Sequence, residues 1–173
     1  MEFNFLFILL AVLIPVVIGF IYYHPKLVGT AWIKTTGLTE EKMKDGNMAI
    51  ILGVSLLLSF LISTVMAIFS THQTDLFSLF NGNDDLKDAS SEISVAVNRV
   101  LELAGDKYLT FKHGAAHGML MSIFLVFPVM AINNLFERRP FKLTLINSIY
   151  WMITLTLMAG VLCQWGFKPF MAG

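Results

Sequence analysis

The sequence is short of charge and nearly without cysteine. Only 14% of its 173 residues are Asp, Glu, Lys or Arg, where a soluble domain carries about 25%. Twelve basic and twelve acidic residues cancel, so no nucleic-acid partner is implied. The single cysteine, Cys163, excludes an internal disulfide and with it the small secreted disulfide scaffolds. Its plain reading is a small apolar residue in a membrane helix. Catalytic signatures are missing too: there is no HExxH, phosphate-cradling loop, nucleophile elbow or paired-carboxylate motif. The first apolar segment lacks the marks of a signal peptide. Met1-Glu2 offers no basic n-region and no small-x-small site follows, so it reads as a retained membrane helix.

What the sequence has is apolar length. Hydrophobic residues make up 56%, and residues 3–25, 46–71, 113–136 and 143–167 contain no charge. Each window exceeds the roughly 20 helical residues that cross a ~30 Å hydrocarbon core. Barrel strands would be about 10 residues long with alternating polarity, whereas Phe5–Tyr23 is almost continuously apolar. The pattern predicts an all-α membrane protein, one domain over 1–173, with four transmembrane helices at 5–23, 48–70, 113–136 and 143–165. Pro15 and Pro128 fall inside the first and third spans. Pro15 would free the carbonyl of Ala11 and kink its helix.

Basic residues in short loops set orientation. Lys26, Lys34, Lys42 and Lys44 lie in the first loop, and Arg138, Arg139 and Lys142 in the third. Four spans put those loops on one side. The long second loop, 71–112, has four basic residues against seven acidic ones, the N-terminus has none and the C-terminal tail has Lys168. The first and third loops are therefore expected in the cytoplasm. Both termini and loop 71–112 are expected outside a bacterial inner membrane.

Two loops carry structure of their own. In the first, Pro25 starts and Gly37 ends a short interfacial helix, with Leu27, Val28, Trp32 and Ile33 toward lipid and Lys26 and Lys34 toward water. Thr39 then caps a second turn. In the second, Leu76, Phe77, Leu79 and Phe80 form an apolar cluster, and residues 81–84 read as a turn. Ile93, Val97, Val100, Leu101 and Ala104 fall on one helical stripe, which predicts an amphipathic lid helix over 90–104, apolar face down on the outer mouth of the bundle. Gly105 suits its end.

Three constellations are candidates for function. Ser55, Ser59, Ser63 and Ala67, and likewise Gly114, Gly118 and Ser122, recur every four residues. Such small-residue stripes let helices approach closely, inside a bundle or between copies. His113 and His117 share one helix face at its outer end, and His72 lies just beyond the second span. Together they form a candidate metal site, with Asp75 and Asp106 in the same loop. At the inner end stand Asn133, Asn134, Glu137, Arg138, Arg139 and Asn147. These read as a tied hairpin, in which Glu137 pairs with a basic residue, or as an anionic-headgroup or solute site.

Two stretches also resemble a known family. The first is Tyr22-Tyr23-His24-Pro25, Gly29-Thr30-Ala31-Trp32 and Gly37-Leu38-Thr39-Glu40-Glu41, then Asn47. The second runs from Pro128 through Asn133-Asn134-Leu135-Phe136-Glu137-Arg138-Arg139-Pro140 and Leu145-Ile146-Asn147-Ser148-Ile149-Tyr150-Trp151 to Trp165. They resemble the domain of unknown function 1761 family of small, mostly bacterial, four-span membrane proteins. The resemblance implies topology and class and supplies no catalytic residues. The polar stretch from Thr71 to Lys107 is longer than the family pattern suggests.

The expected function is a non-enzymatic membrane protein, a homo-oligomer packed through the small-residue faces or an accessory subunit to another membrane protein, surrounded by lipid. The alternatives are a small oligomeric transporter or channel and a metal-dependent enzyme using the outer histidines. No cofactor is expected on the first reading; zinc is the ion of the third.

Overall fold

The structure, a computed structural model, describes residues 3–167; Met1, Glu2 and Lys168, which bear on the orientation of the termini, lie outside the described residues. The chain is helical throughout. Helix α1 spans Phe5–Tyr22. A π-helical turn at Pro25–Gly29 runs into α2 (Thr30–Thr36), and α3 (Glu40–Lys44) follows. Helix α4 spans Met48–Phe69 and α5 spans His72–Leu79. A 3-10 turn at Asp84–Lys87 precedes α6 (Glu92–Ala104). The next long helix consists of α7 (Phe111–Met121), a π-helical segment (Ser122–Val126) and α8 (Phe127–Phe136). Helix α9 spans Phe141–Trp165. Four helices are long and apolar enough to cross a membrane: α1, α4, α7 through α8, and α9.

Local chemistry explains the boundaries. Asn47 caps α4, its side-chain oxygen accepting from the N–H groups of Ala49 and Ile50. Thr39, Ser91 and Thr110 accept from the N–H three residues on, capping α3, α6 and α7. Gly37 ends α2 at φ +70°, a conformation glycine adopts without Cβ strain. The π segment explains how a proline is carried inside the third span. Pro128 has no N–H for the carbonyl of Phe124. The wide turn just before it places Pro128 in the first turn of α8, where no donor is needed. In α1, the carbonyl of Pro15 accepts a hydrogen bond from the Tyr150 hydroxyl at 2.8 Å, which ties α1 to α9.

Helix α9 is the central element. It packs against α1, α4, α7 and α8, and 39% of it is buried against 11–22% of the other spans. The core joins Ile8 and Ala11 of α1, Met66 and Ala67 of α4, and Leu155, Met158, Ala159 and Leu162 of α9. Outside it the spans are apolar and uncovered: Leu6, Leu9, Phe20, Leu57 and Phe124 are among many exposed large side chains. So much contiguous apolar surface suits hydrocarbon and not water. The chain is an integral membrane protein. Its two described ends meet, with Asn4 N–H donating to the Gly166 carbonyl at 2.8 Å and Phe3 bridging Phe167.

The small-residue stripes are spent inside the chain. Ser59, Ser63 and Ala67 are buried, while Ser55 is half-buried. A Cβ at Gly118 would collide with the Leu155 backbone, and one at Gly114 with the Ala159 carbonyl and Cys163. These faces serve α4 and the α7–α9 contact.

Two loop details differ from expectation. Trp32 does not face lipid; its indole turns toward α9 and donates to Asn147, because a hydrogen bond satisfies the indole N–H better than acyl chains do. In α6 the buried set is Ser94, Val97 and Leu101, while Val100 is 49% exposed. That stripe packs chiefly on α5 and the 3-10 turn. Helix α5, unread in the sequence, gives α6 an apolar partner within its own loop.

Replacing Gly118 by Leu should separate α7 from α9 and cost ~1–3 kcal/mol, the usual range for overpacking. Gly53→Leu, where nothing lies within 4 Å of the new Cβ, is the control. Thermal unfolding in detergent should show a lower midpoint for the first and an unchanged one for the second.

Candidate functional site

The three histidines His72, His113 and His117 come together. His113 and His117 project from one face of α7, and His72 opens α5 directly after the turn that ends α4. Nε2 of His113 lies 3.0 Å from Nε2 of His72 and 3.0 Å from Nε2 of His117. One ligand atom from each lies within 4.8 Å of the others.

The surrounding chain holds these rings in place. Ser70 and Thr71, before His72, are buried. The Gln73 side-chain amide donates to the carbonyls of Gly105 and Lys107 at 3.3 and 3.2 Å, tying α5 to the segment that leads into α7. The Cys163 thiol donates to the Tyr108 carbonyl at 3.3 Å, and Gln164 Oε1 accepts from Phe111 N–H at 3.0 Å. The start of α7 is thus pinned to α9. Tyr108 adopts φ +71°, unusual for a bulky residue. Its ring sits 4.9 Å from that of His113 and 5.9 Å from that of His72. Asp75 places a carboxylate oxygen 3.8 Å from Nδ1 of His72. Asp106 is exposed and does not join the group.

The arrangement has a definite electrostatic meaning. A ring nitrogen carries either one in-plane lone pair or one N–H. Nε2 of His113, between two other Nε2 atoms, cannot make two well-directed hydrogen bonds in either tautomer. A single cation at the point of convergence would satisfy three lone pairs at once. Three imidazoles on a tetrahedral zinc, with Zn–N of about 2.0–2.1 Å, have nitrogens roughly 3.3 Å apart. The two separations from His113 Nε2, 3.0 Å each, are a little shorter than that, and the remaining pair lies within 4.8 Å.

The polar residues at the opposite end of the bundle do not form one cluster. Asn147 Oδ1 accepts from the Tyr23 hydroxyl at 2.9 Å and from Trp32 Nε1 at 3.1 Å. Asn134 donates to the Thr144 hydroxyl at 2.8 Å, tying α8 to α9. Glu137 pairs with Arg139 at 3.5 Å. Asn133 is exposed, and Arg138 takes φ +56° in the turn. The Glu137 pairing is the one expected of a tied hairpin, but the amides of Asn134 and Asn147 bond side chains and not loosened backbone groups. Asn147 is drawn into an aromatic cluster of Tyr22, Tyr23, Trp32 and Tyr150. Beside that cluster, a cavity of about 670 Å³ opens between α1, α4, α9 and the first loop.

A four-span bundle with a histidine group at one end and an aromatic cavity at the other defines the class: a small polytopic integral membrane protein. Residues 6–163 match the family described as Protein of unknown function (DUF1761), and the chain belongs to it. No curated protein and no solved structure matches the chain.

Sequence reasoning missed the residues that brace the sites. Gln73, Tyr108 and Gln164 have ordinary spacing, and only the folded loop reveals their partners. Asn147 is open to test. Asn147→Leu removes the acceptor for two donors and should cost ~1–3 kcal/mol, with a shift in Trp32 fluorescence. Asn133→Leu should change neither the unfolding midpoint nor the emission.

Proposed function

We propose that this chain is a non-enzymatic, metal-binding protein of the bacterial inner membrane, in which His72, His113 and His117 hold a divalent transition-metal ion of the zinc class. The convergence of three Nε2 atoms carries the reading. Three neutral imidazoles with a free fourth position are a common zinc donor set. Asp75 lies 3.8 Å from Nδ1 of His72, outside hydrogen-bond distance, and places negative charge on that side of the ring.

A hydrolase assisted by a carboxylate base is not favoured, because no carboxylate joins the three histidines among the described residues, and Asp75 lies on the Nδ1 side of its ring, away from the convergence. A solute pathway is not favoured, since the cavity beside the aromatic cluster has no Asp, Glu, Lys or Arg in its lining. Assembly with further copies or with another membrane protein would use lipid-facing surfaces, because the small-residue faces are occupied within the chain. Seven of the twelve basic residues lie in the first and third loops. That bias favours a cytoplasmic aromatic end, with the histidines and both termini outside.

Purified protein exposed to zinc and dialysed should retain stoichiometric metal by elemental analysis, and His113→Ala and His117→Ala should lose it. Ligation requires neutral rings, so affinity should fall on acidification, as protons compete for the same lone pairs. Wild-type protein without retained metal would end the proposal. Orientation is checked separately in a Cys163→Ala background: an impermeant thiol reagent added to intact cells should label Asp84→Cys and not Arg138→Cys. Labelling at position 138 from outside would reverse the topology.

A further inference from the structure

The inner cavity has chemistry of its own, independent of the histidine group. Its volume of about 670 Å³ falls in the range of small-molecule sites. It reaches from the first loop, at His24 and Trp32, to the middle of the bundle at Pro15 and Ile62. Its rim includes Phe20, Met48 and Leu58, all more than half exposed on the lipid-facing surface. Access is therefore from the bilayer.

The walls select a flat ring. Phe20, Tyr23, Trp32, Tyr150 and Trp151 all contribute, and aromatic faces and edges favour planar partners. Most polar groups there are already committed: Tyr23 and Trp32 donate to Asn147, and Tyr150 donates to the Pro15 carbonyl. Among the others are Ser55, Ser59 and His24. On α4, Ser63 and Thr64 turn back to the Phe60 carbonyl, the usual recourse of a hydroxyl in a membrane helix. Ser55 and Ser59, one turn apart on the cavity wall, make no such bond, although Ser59 is only 4% exposed. The third group is His24, whose Nδ1 accepts from Lys26 N–H at 3.2 Å. In the neutral ring this leaves the proton on Nε2. All three can donate, and no charged side chain lines the cavity. A complementary ligand is lipid-soluble, uncharged and flat, with acceptor oxygens on its ring.

We infer that this cavity binds a quinone-type lipid, its ring between the aromatic walls and its carbonyl oxygens accepting from Ser55, Ser59 or His24. The test uses the full chain in lipid nanodiscs with Trp165→Phe, so that only Trp32 and Trp151 report. Decylubiquinone should quench their fluorescence saturably. Ser59→Ala, which removes a donor without filling space, should weaken binding by about fivefold. Ser59→Leu, which also fills the cavity, should abolish the saturable phase, and Gly53→Leu, away from the cavity, should leave it unchanged. Quenching that stays linear, or a saturable phase indifferent to both Ser59 variants, overturns the assignment. So does native mass spectrometry showing a bound phospholipid that decylubiquinone fails to displace, since the occupant is then an acyl chain.

Discussion

The close approach of α7 to α9 is the contact on which the histidine end of the molecule depends. Lipid is as apolar as the helix surfaces, so hydrophobic burial does not bring spans together; packing must. Gly114 and Gly118 supply it by letting the α7 backbone rest on the backbone at Ala159 and Leu155. A histidine precedes each glycine, and one residue is about 100° of helix rotation. Seating the glycine face against α9 therefore fixes the direction of the histidine face. Gln164 and Cys163, on the same stretch of α9, hold the segment entering α7. His72 then meets rings whose positions are already set.

The opposite, aromatic end is ordered by hydrogen bonds and aromatic packing. Asn147, costly in a membrane helix when unpaired, receives hydrogen bonds from Tyr23 and Trp32. Through them it draws the first loop against α9. The Tyr150–Pro15 bond does the same for α1. With α1 and α9 tied there and α4 meeting them through small residues deeper in the bundle, space remains between α1 and α4 beside the aromatic cluster. The cavity follows from where the packing residues are and where they are not.

Much of this was readable in the sequence, for definite reasons. The spans are charge-free windows of membrane length, and Thr39, Gly37 and Gly105 mark helix boundaries through their backbone chemistry. His113 and His117 share a face by spacing alone, and the Glu137 pairing follows from neighbouring opposite charges. Proximity across long separations was not readable. Nothing in the spacing of His72 says that α5 will fold back toward α7, or that Trp32 will find Asn147, 115 positions away. The stripe on α6 was visible, but its partner was not, because α5 is a short helix whose sequence reads equally well as a surface cluster. The small-residue stripes were ambiguous between internal and external packing, a choice that only the position of α9 resolves.

The claim that the three histidines converge in order to share one ion has a direct measurement. X-ray absorption at the zinc edge of the zinc-loaded full chain reports the identity and distance of the atoms around the metal. The account expects a shell of nitrogen or oxygen neighbours at about 2.0–2.1 Å, with the outer scattering of three imidazole rings and no sulfur. A shell with fewer than three imidazoles, or one containing the Cys163 sulfur, would contradict it.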